Sequence, residues 1–290
     1  MTDPLDALRA PVTPADPDPA FATRLRARLE RALGLPEGVA VTETTLMPTE
    51  PGGAALKQGD ISYASLWVRD VTRAAAFYGA VLGLEYVPAH DKRGRQAPGL
   101  APPQGLWEHL ALPALFCSYV VNDIAAAVAR VRAAGGQAEE PSPQAYGLTA
   151  DCVDPDDVPF ALHQPPASAP AVPPASAPPG HAGDLVYVTL EVPDAARTLN
   201  FYCSVLGWRV RPGRTPGGWQ IEDTTPMIGV SGGHPAPAAV PVWQVTDLAA
   251  AVAQVRAAGG TSTEPHREPY GLIAECTDDQ GIRFSLGQFP

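Results

Sequence analysis

The sequence predicts an α+β protein built from one sheet-rich unit used twice, and three observations predict it. Laid against itself, the chain repeats at a constant spacing. Phe77-Tyr78 returns as Phe201-Tyr202, Asp123 as Asp247, Gly135-Gly136 as Gly259-Gly260 and Tyr146-Gly147-Leu148 as Tyr270-Gly271-Leu272, each 124 residues later. A spacing kept from one end of a unit to the other belongs to a shared fold rather than a short motif. Within each copy the hydrophobic period switches between two and about 3.6 residues, as strands and helices require. Between the copies lies PPASAPAVPPASAPP, from Pro165 to Pro179. Its prolines donate no hydrogen bonds and its small side chains bury nothing, so it reads as a semi-extended tether.

The elements follow in order. Asp18 is an N-cap with Pro19 at the first helical position, and Phe21, Leu25, Leu29 and Leu33 recur every fourth residue until Gly34. The other face of this amphipathic helix carries Arg24, Arg26, Arg28 and Arg31, and a loose connector completes a leading segment of residues 1–58. The first copy spans 59–164. It predicts a strand over Ile61 to Val68, a helix over Val71 to Leu82 capped by Asp70 and ended by Gly83, and a strand over Phe116 to Val121. A helix over Ile124 to Ala134 capped by Asp123 comes next, then strands over Gly147 to Val153 and Pro159 to His163. After a linker, 165–182, the second copy spans 183–290 with strands at Leu185 to Val192, Val242 to Val245, Leu272 to Cys276 and Arg283 to Leu286. Its helices are Ala195 to Leu206 and Leu248 to Ala258. The stretches His90 to Gln104 and Arg211 to Gly218 carry no readable pattern.

Composition narrows the function classes. Twenty Lys and Arg against 31 Asp and Glu give a formal charge of −11, which repels nucleic acids and anionic membrane surfaces. The first twenty residues carry charge and proline where a secretory leader needs an apolar run, and no apolar stretch reaches the roughly 20 residues of a membrane span. The four cysteines, Cys117, Cys152, Cys203 and Cys276, lack paired spacing, so neither zinc nor a disulfide framework is indicated. A soluble cytoplasmic protein with no nucleic-acid or membrane partner is expected, a monomer whose two copies pack on each other.

Both copies carry D-x-x-x-x-x-x-FY-x-x-x-LG, at Asp70 to Gly83 and Asp194 to Gly207. They also share DIAAAVARVRAAGG (Asp123 to Gly136) with DLAAAVAQVRAAGG (Asp247 to Gly260), and DPDD (Asp154 to Asp157) with DDQG (Asp278 to Gly281). This pattern resembles the vicinal oxygen chelate superfamily of glyoxalases, extradiol dioxygenases, fosfomycin-resistance enzymes and bleomycin-binding proteins. The resemblance implies tandem domains, each made of paired βαβββ modules, with a binding cleft on the concave side of the sheet. It implies metal-ligand positions at Tyr63 and Tyr187, Phe116 and Val240, and Ala161 and Ser285. None of these offers an imidazole or a carboxylate, so no metal and no other cofactor are expected.

Strand alternation sets Tyr63, Ser65 and Trp67 on one face and Ala64, Leu66 and Val68 on the other, and in the second copy sets Tyr187, Thr189 and Glu191 apart from the aliphatic Val188, Leu190 and Val192. The expected ligand-contacting residues are Tyr63, Trp67, Trp107, Phe116, Tyr146, His163, Tyr187, Glu191, Trp219, Tyr270 and Ser285, with flat rings suited to a planar small molecule. Trp208 and Trp243 read as core, Cys152 and Cys276 as buried thiols, and His109 and His234 as paired loop residues at the rim. Asp151 and Glu275 coincide at the 124-residue spacing and are the acid–base candidates. The reading is a metal-free binding protein of the glyoxalase and bleomycin-resistance type that sequesters a partly aromatic natural product or antibiotic. The alternative is a lyase, isomerase or dioxygenase whose metal site is drawn from His163, Glu191, Asp151 or Glu275. Unequal sites in the two copies are expected.

Overall fold

The computed structural model describes residues 56–89, 93–110, 114–166 and 181–290. The expected N-terminal helix with its basic face, most of the connector and most of the tether lie outside the described residues.

Domain 1 comprises β1 (Ile61–Val68), α1 (Val71–Leu82), β2 (Val87–Pro88), β3 (Gly94–Ala97), β4 (Gln104–Glu108), β5 (Ala114–Val120), α2 (Ile124–Ala133), β6 (Gln137–Ala138), β7 (Ser142–Gln144), β8 (Gly147–Val153) and β9 (Pro159–Gln164). Domain 2 repeats the series: β10 (Leu185–Glu191), α3 (Ala195–Leu206), β11 (Val210–Pro212), β12 (Gly218–Ile221), β13 (Met227–Ser231), β14 (Ala238–Gln244), α4 (Leu248–Ala257), β15 (Thr261–Ser262), β16 (His266–Glu268), β17 (Gly271–Thr277) and β18 (Arg283–Gln288). The helices start where the sequence supplies caps. Asp70, Asp123, Asp194 and Asp247 have extended backbones, and their carboxylates accept N–H bonds from the first turn. Gly83 and Gly207 end α1 and α3 at φ 70° and 73°, a conformation that costs only glycine nothing. Strands β2–β4 and β11–β13 include the stretches without sequence pattern; they are short and interrupted by glycine and proline, which blunts any period-two signal.

Each domain folds into one mixed sheet, ordered β2-β3-β4-β1-β5-β9-β8-β6 in domain 1 and β11-β12-β13-β10-β14-β18-β17-β15 in domain 2, with β7 on β8 and β16 on β17. Two modules meet where their first strands run antiparallel, β1 on β5 and β10 on β14, while inside each module the first and last strands are parallel. One face of each sheet enters the core through Ala64, Leu66, Val68, Leu115, Cys117 and Leu162, or Val188, Leu190, Val192 and Leu286. The opposite face carries Tyr63, Ser65 and Trp67, or Tyr187, Thr189 and Glu191, and is the face on which the resemblance places the binding cleft.

The first helix of each domain reaches the other domain's sheet. On α1, Phe77 and Tyr78 lie edge-on to Phe284 of β18, and Tyr78 also meets Trp243 of β14. On α3, Phe201 and Tyr202 meet Phe160 of β9, and Tyr202 meets Tyr119 of β5. The Tyr78 hydroxyl donates to Asp278 at 3.0 Å and the Tyr202 hydroxyl to Asp154 at 3.1 Å, with all four residues buried. Each aspartate also holds two backbone amides of its own turn, Asp156 and Val158 on Asp154, and Gln280 and Ile282 on Asp278. These contacts are related by the same 124-residue spacing, so the FY pair and the closing aspartate of the repeat form one paired seam. Trp208 and Trp243 are buried there as expected: the indole of Trp208 donates to the Gly59 carbonyl and that of Trp243 to the Gln104 side chain. Among the described residues, no helix is long and apolar enough to cross a membrane.

Candidate functional site

The strand registers assemble each cleft floor. In domain 1, Tyr63 lies opposite Ser118 on β5, which lies opposite Ala161 on β9, and Ser65 lies opposite both Gly105 and Phe116. In domain 2 the same positions hold Tyr187, Val242 and Ser285, with Thr189 opposite Gly229 and Val240. At the centre of both floors stands a tyrosine held by a glutamine. Gln96 donates to the Tyr63 hydroxyl at 3.0 Å. The Tyr187 hydroxyl donates to Gln220 Oε1 at 3.4 Å, and the Gln220 Nε2 donates to the Ile228 carbonyl at 2.9 Å, which turns its oxygen toward the phenol. A glycine on the neighbouring strand makes room: a Cβ on Gly105 would come within 2.4 Å of the Tyr63 hydroxyl, and one on Gly229 within 2.0 Å of that of Tyr187. Burial pushes both phenols above the usual tyrosine range, so both keep their protons at neutral pH. Sequence reasoning missed Gln96, Gln220, Gly105 and Gly229, although each pair recurs at the 124-residue spacing.

Around this unit the domains differ. In domain 1, Trp67 is stacked between His109 (4.6 Å) and Phe116 (4.9 Å), so its faces are taken by the chain itself. Trp107 is on the same sheet face, beneath the Arg93 guanidinium at 4.9 Å. His163 sits 2.9 Å from Ser62 Oγ through Nδ1 and 3.0 Å from the Tyr146 carbonyl through Nε2. A carbonyl only accepts, so Nε2 carries a proton, while the Ser62 hydroxyl beside Nδ1 directs its own proton to the Ser118 carbonyl at 3.1 Å. Burial holds the His163 pKa below its ordinary value. Tyr146, 56% exposed at the β7–β8 turn, stands at the rim edge-on to His163.

In domain 2, Glu191 replaces Trp67 and accepts from the two terminal nitrogens of the Arg283 guanidinium, while Ser231 replaces Trp107. His234 is the structural counterpart of His109, since their backbone amides donate to the equivalent carbonyls of Val192 and Val68. It bridges Glu191 and Ser231, at 3.4 Å and 3.0 Å. Phe289 covers Gly287, the counterpart of His163, and its ring meets Tyr270 on the rim, over which Arg214 lies at 5.7 Å. Trp219 departs from expectation. It pairs with Val230 and packs against the core, because β12 puts Gln220, not its neighbour, on the cleft face. Asp151 and Glu275 occupy matching exposed positions opposite Ala161 and Ser285. Burial, and then Glu139, raises the Asp151 carboxyl above its usual range, and Glu275 accepts from Thr263 at 3.0 Å. The thiols of Cys117, Cys152 and Cys276 are pushed up to about 12 by burial, which leaves them without nucleophilic character. A separate open groove of about 700 Å³ runs along the helical side, past Pro155, Arg197 and Phe201. It has no grouping of reactive side chains.

The profile of the Glyoxalase/Bleomycin resistance protein/Dioxygenase superfamily matches residues 60–162, and that of the Glyoxalase-like domain matches residues 187–287. The chain belongs to this superfamily, with two of its domains in tandem. Among solved structures it is similar to the Mn(II)-bound glyoxalase from Novosphingobium aromaticivorans, at 17% identity and TM-score 0.63, over 80% of this chain and 82% of that one. A catechol 2,3-dioxygenase aligns at 15% identity and TM-score 0.60, over 80% and 88%. Homoprotocatechuate 2,3-dioxygenase from Brevibacterium fuscum, in complex with 3,4-dihydroxyphenylacetate, aligns at 17% and 0.57, over 83% of each chain. Identities this low establish the shared fold alone. A comparison with curated proteins gives no match.

A divalent ion such as the Mn(II) of that glyoxalase needs imidazole or carboxylate donors that converge. The floor positions here are phenol, hydroxyl and hydrocarbon, and among the described residues no three His, Cys, Asp or Glu side chains gather. His163 and Asp151 belong to one sheet, Glu191 and Glu275 to the other. The residues present do not fit such an ion.

Proposed function

We propose that this protein binds a small, planar, partly aromatic molecule without a metal, as in the bleomycin-resistance branch of its superfamily. The observation that carries this reading is the tyrosine–glutamine–glycine unit standing in both clefts where the fold would otherwise present metal ligands. The Tyr63 phenol, which accepts from Gln96, keeps its proton to donate to a ligand, and the Tyr187 phenol, which donates to Gln220, keeps its lone pairs to accept from one. The domain 2 cleft favours entry, since its floor residues Thr189, Val242 and Ser285 keep partial solvent contact. Sequestration of a natural product or antibiotic is the role this chemistry suits.

Titration calorimetry of the full chain against a panel of planar aromatic phenols and acids, with 3,4-dihydroxyphenylacetate among them, tests the reading. Binding near micromolar or tighter is expected, and Tyr187→Phe should weaken it about tenfold by removing one hydrogen bond. Elemental analysis of the purified protein accompanies the titration. A stoichiometric divalent metal whose removal abolishes binding would overturn the proposal, as would silence across the panel.

A further inference from the structure

We propose that the domain 2 cleft also contains an acylatable serine, Ser231, activated by His234 and Glu191. The three side chains form a chain of contacts: Ser231 Oγ to His234 Nε2 at 3.0 Å, His234 Nδ1 to Glu191 Oε2 at 3.4 Å. The 3.4 Å contact is a charge contact rather than a hydrogen bond; the negative carboxylate on the Nδ1 side favours the tautomer protonated there, which leaves the Nε2 lone pair facing the serine hydroxyl. Glu191 is itself immobilised, 15% exposed and gripped by Arg283 through 3.2 Å and 2.5 Å contacts. Nucleophile within reach of base, and base oriented by a fixed acid, is the geometry of serine acyl transfer, and it is recognised by roles rather than by chain order.

The arrangement belongs to one copy. At the matching positions domain 1 has Trp67, Trp107 and Pro159, and only the histidine is retained, as His109. Glu191 and Ser231 face each other on β10 and β13, on the same side of the sheet as Tyr187, so the hydroxyl is in the cleft and not in the core.

The step balances without a co-reactant beyond an ester and water. Ser231 Oγ attacks the ester carbonyl carbon, its proton passes to His234 Nε2, and the carbonyl–alkoxy bond breaks as that proton is delivered to the departing alcohol. Water then repeats the sequence on the acyl-serine, releasing a carboxylic acid and restoring the hydroxyl. The amides of Gly232 and Gly233, next in the chain, are already spent on the carbonyls of Gly217 and Pro193. With those donors committed, the substrate class is narrow: small esters with good leaving groups, above all aryl esters.

The test is a rapid-mixing experiment on the full chain with p-nitrophenyl acetate, followed by peptide mass analysis. The expected result is a burst approaching one p-nitrophenolate per chain, with one acetyl group on the peptide containing Ser231. Ser231→Ala should abolish both, and His234→Ala should slow acylation by about 100-fold or more. Glu191→Gln should slow the burst while keeping its amplitude, a split that a merely structural role would not produce. No adduct on Ser231, or an adduct formed equally fast in His234→Ala, overturns the proposal. Those outcomes leave the binding reading untouched, because calorimetry measures it separately.

Discussion

The two clefts stand on the same framework and treat it in opposite ways. In domain 1 the floor is shut off from solvent: Ser65, Ser118 and Ala161 are 4–6% exposed, and Trp67 is stacked between His109 and Phe116. In domain 2 the same three positions, Thr189, Val242 and Ser285, all keep partial access, and a charged cluster takes the place of the stacked rings. The seam between the domains behaves differently, for its contacts recur in both directions at identical spacing. Packing constrains both copies to the same answer at the seam, whereas the concave faces, which nothing in the chain must fill in one particular way, have been free to diverge.

That contrast is open to attack. Its heaviest test is Phe77→Ala against Phe201→Ala, each of which removes a ring from the other domain's core beside Gly260 or Gly136. Each should cost about 3–5 kcal/mol in urea unfolding, and a paired seam requires the two losses to agree within about 1.5 kcal/mol. If one variant is nearly neutral, the seam is lopsided and the comparison fails.

A smaller effect sharpens the clefts themselves. His163, present only in domain 1, has its folded-state pKa depressed by burial, so the unfolded chain binds the proton more readily. Stability from the neutral ring is therefore complete above the ordinary histidine value of about 6.5 and is lost as pH falls from there through the depressed folded value. The difference in stability between wild type and His163→Gln, followed by thermal melts across pH 4 to 8, should show that sign. A flat difference would mean that the ring titrates as if in water.

The smallest expected change concerns the closing turns. Asp157 sits at φ 62° where domain 2 has Gly281 at φ 91°. Asp157→Gly should be neutral or stabilising by up to about 1 kcal/mol, read as an upward shift in melting temperature, and a clear destabilisation would indicate that the aspartate side chain has a contact of its own.

The fold was legible because helices announce themselves through caps and because a repeat doubles every weak signal: Asp70, Asp123, Asp194 and Asp247 all open helices. Strands β3 and β12 were not legible, being only four residues long and opening on a glycine. That gap explains the errors in the site. Without β12 there is no register, and a one-residue error in register exchanges faces, which is why Trp219 belongs to the core and Gln220 to the cleft. Tyr63 and Tyr187 were legible from alternation alone. The Ser231–His234–Glu191 contact was hidden for a different reason: it joins two strands, and the histidine is displaced by one residue from its counterpart, so no fixed spacing exposes it.

Because each lobe lends its first helix to roof the other's β-sheet, neither half owns a complete interior. A lobe can vary its pocket residues while the seam stays paired, and pulling the lobes apart would uncover the rings that each lends the other.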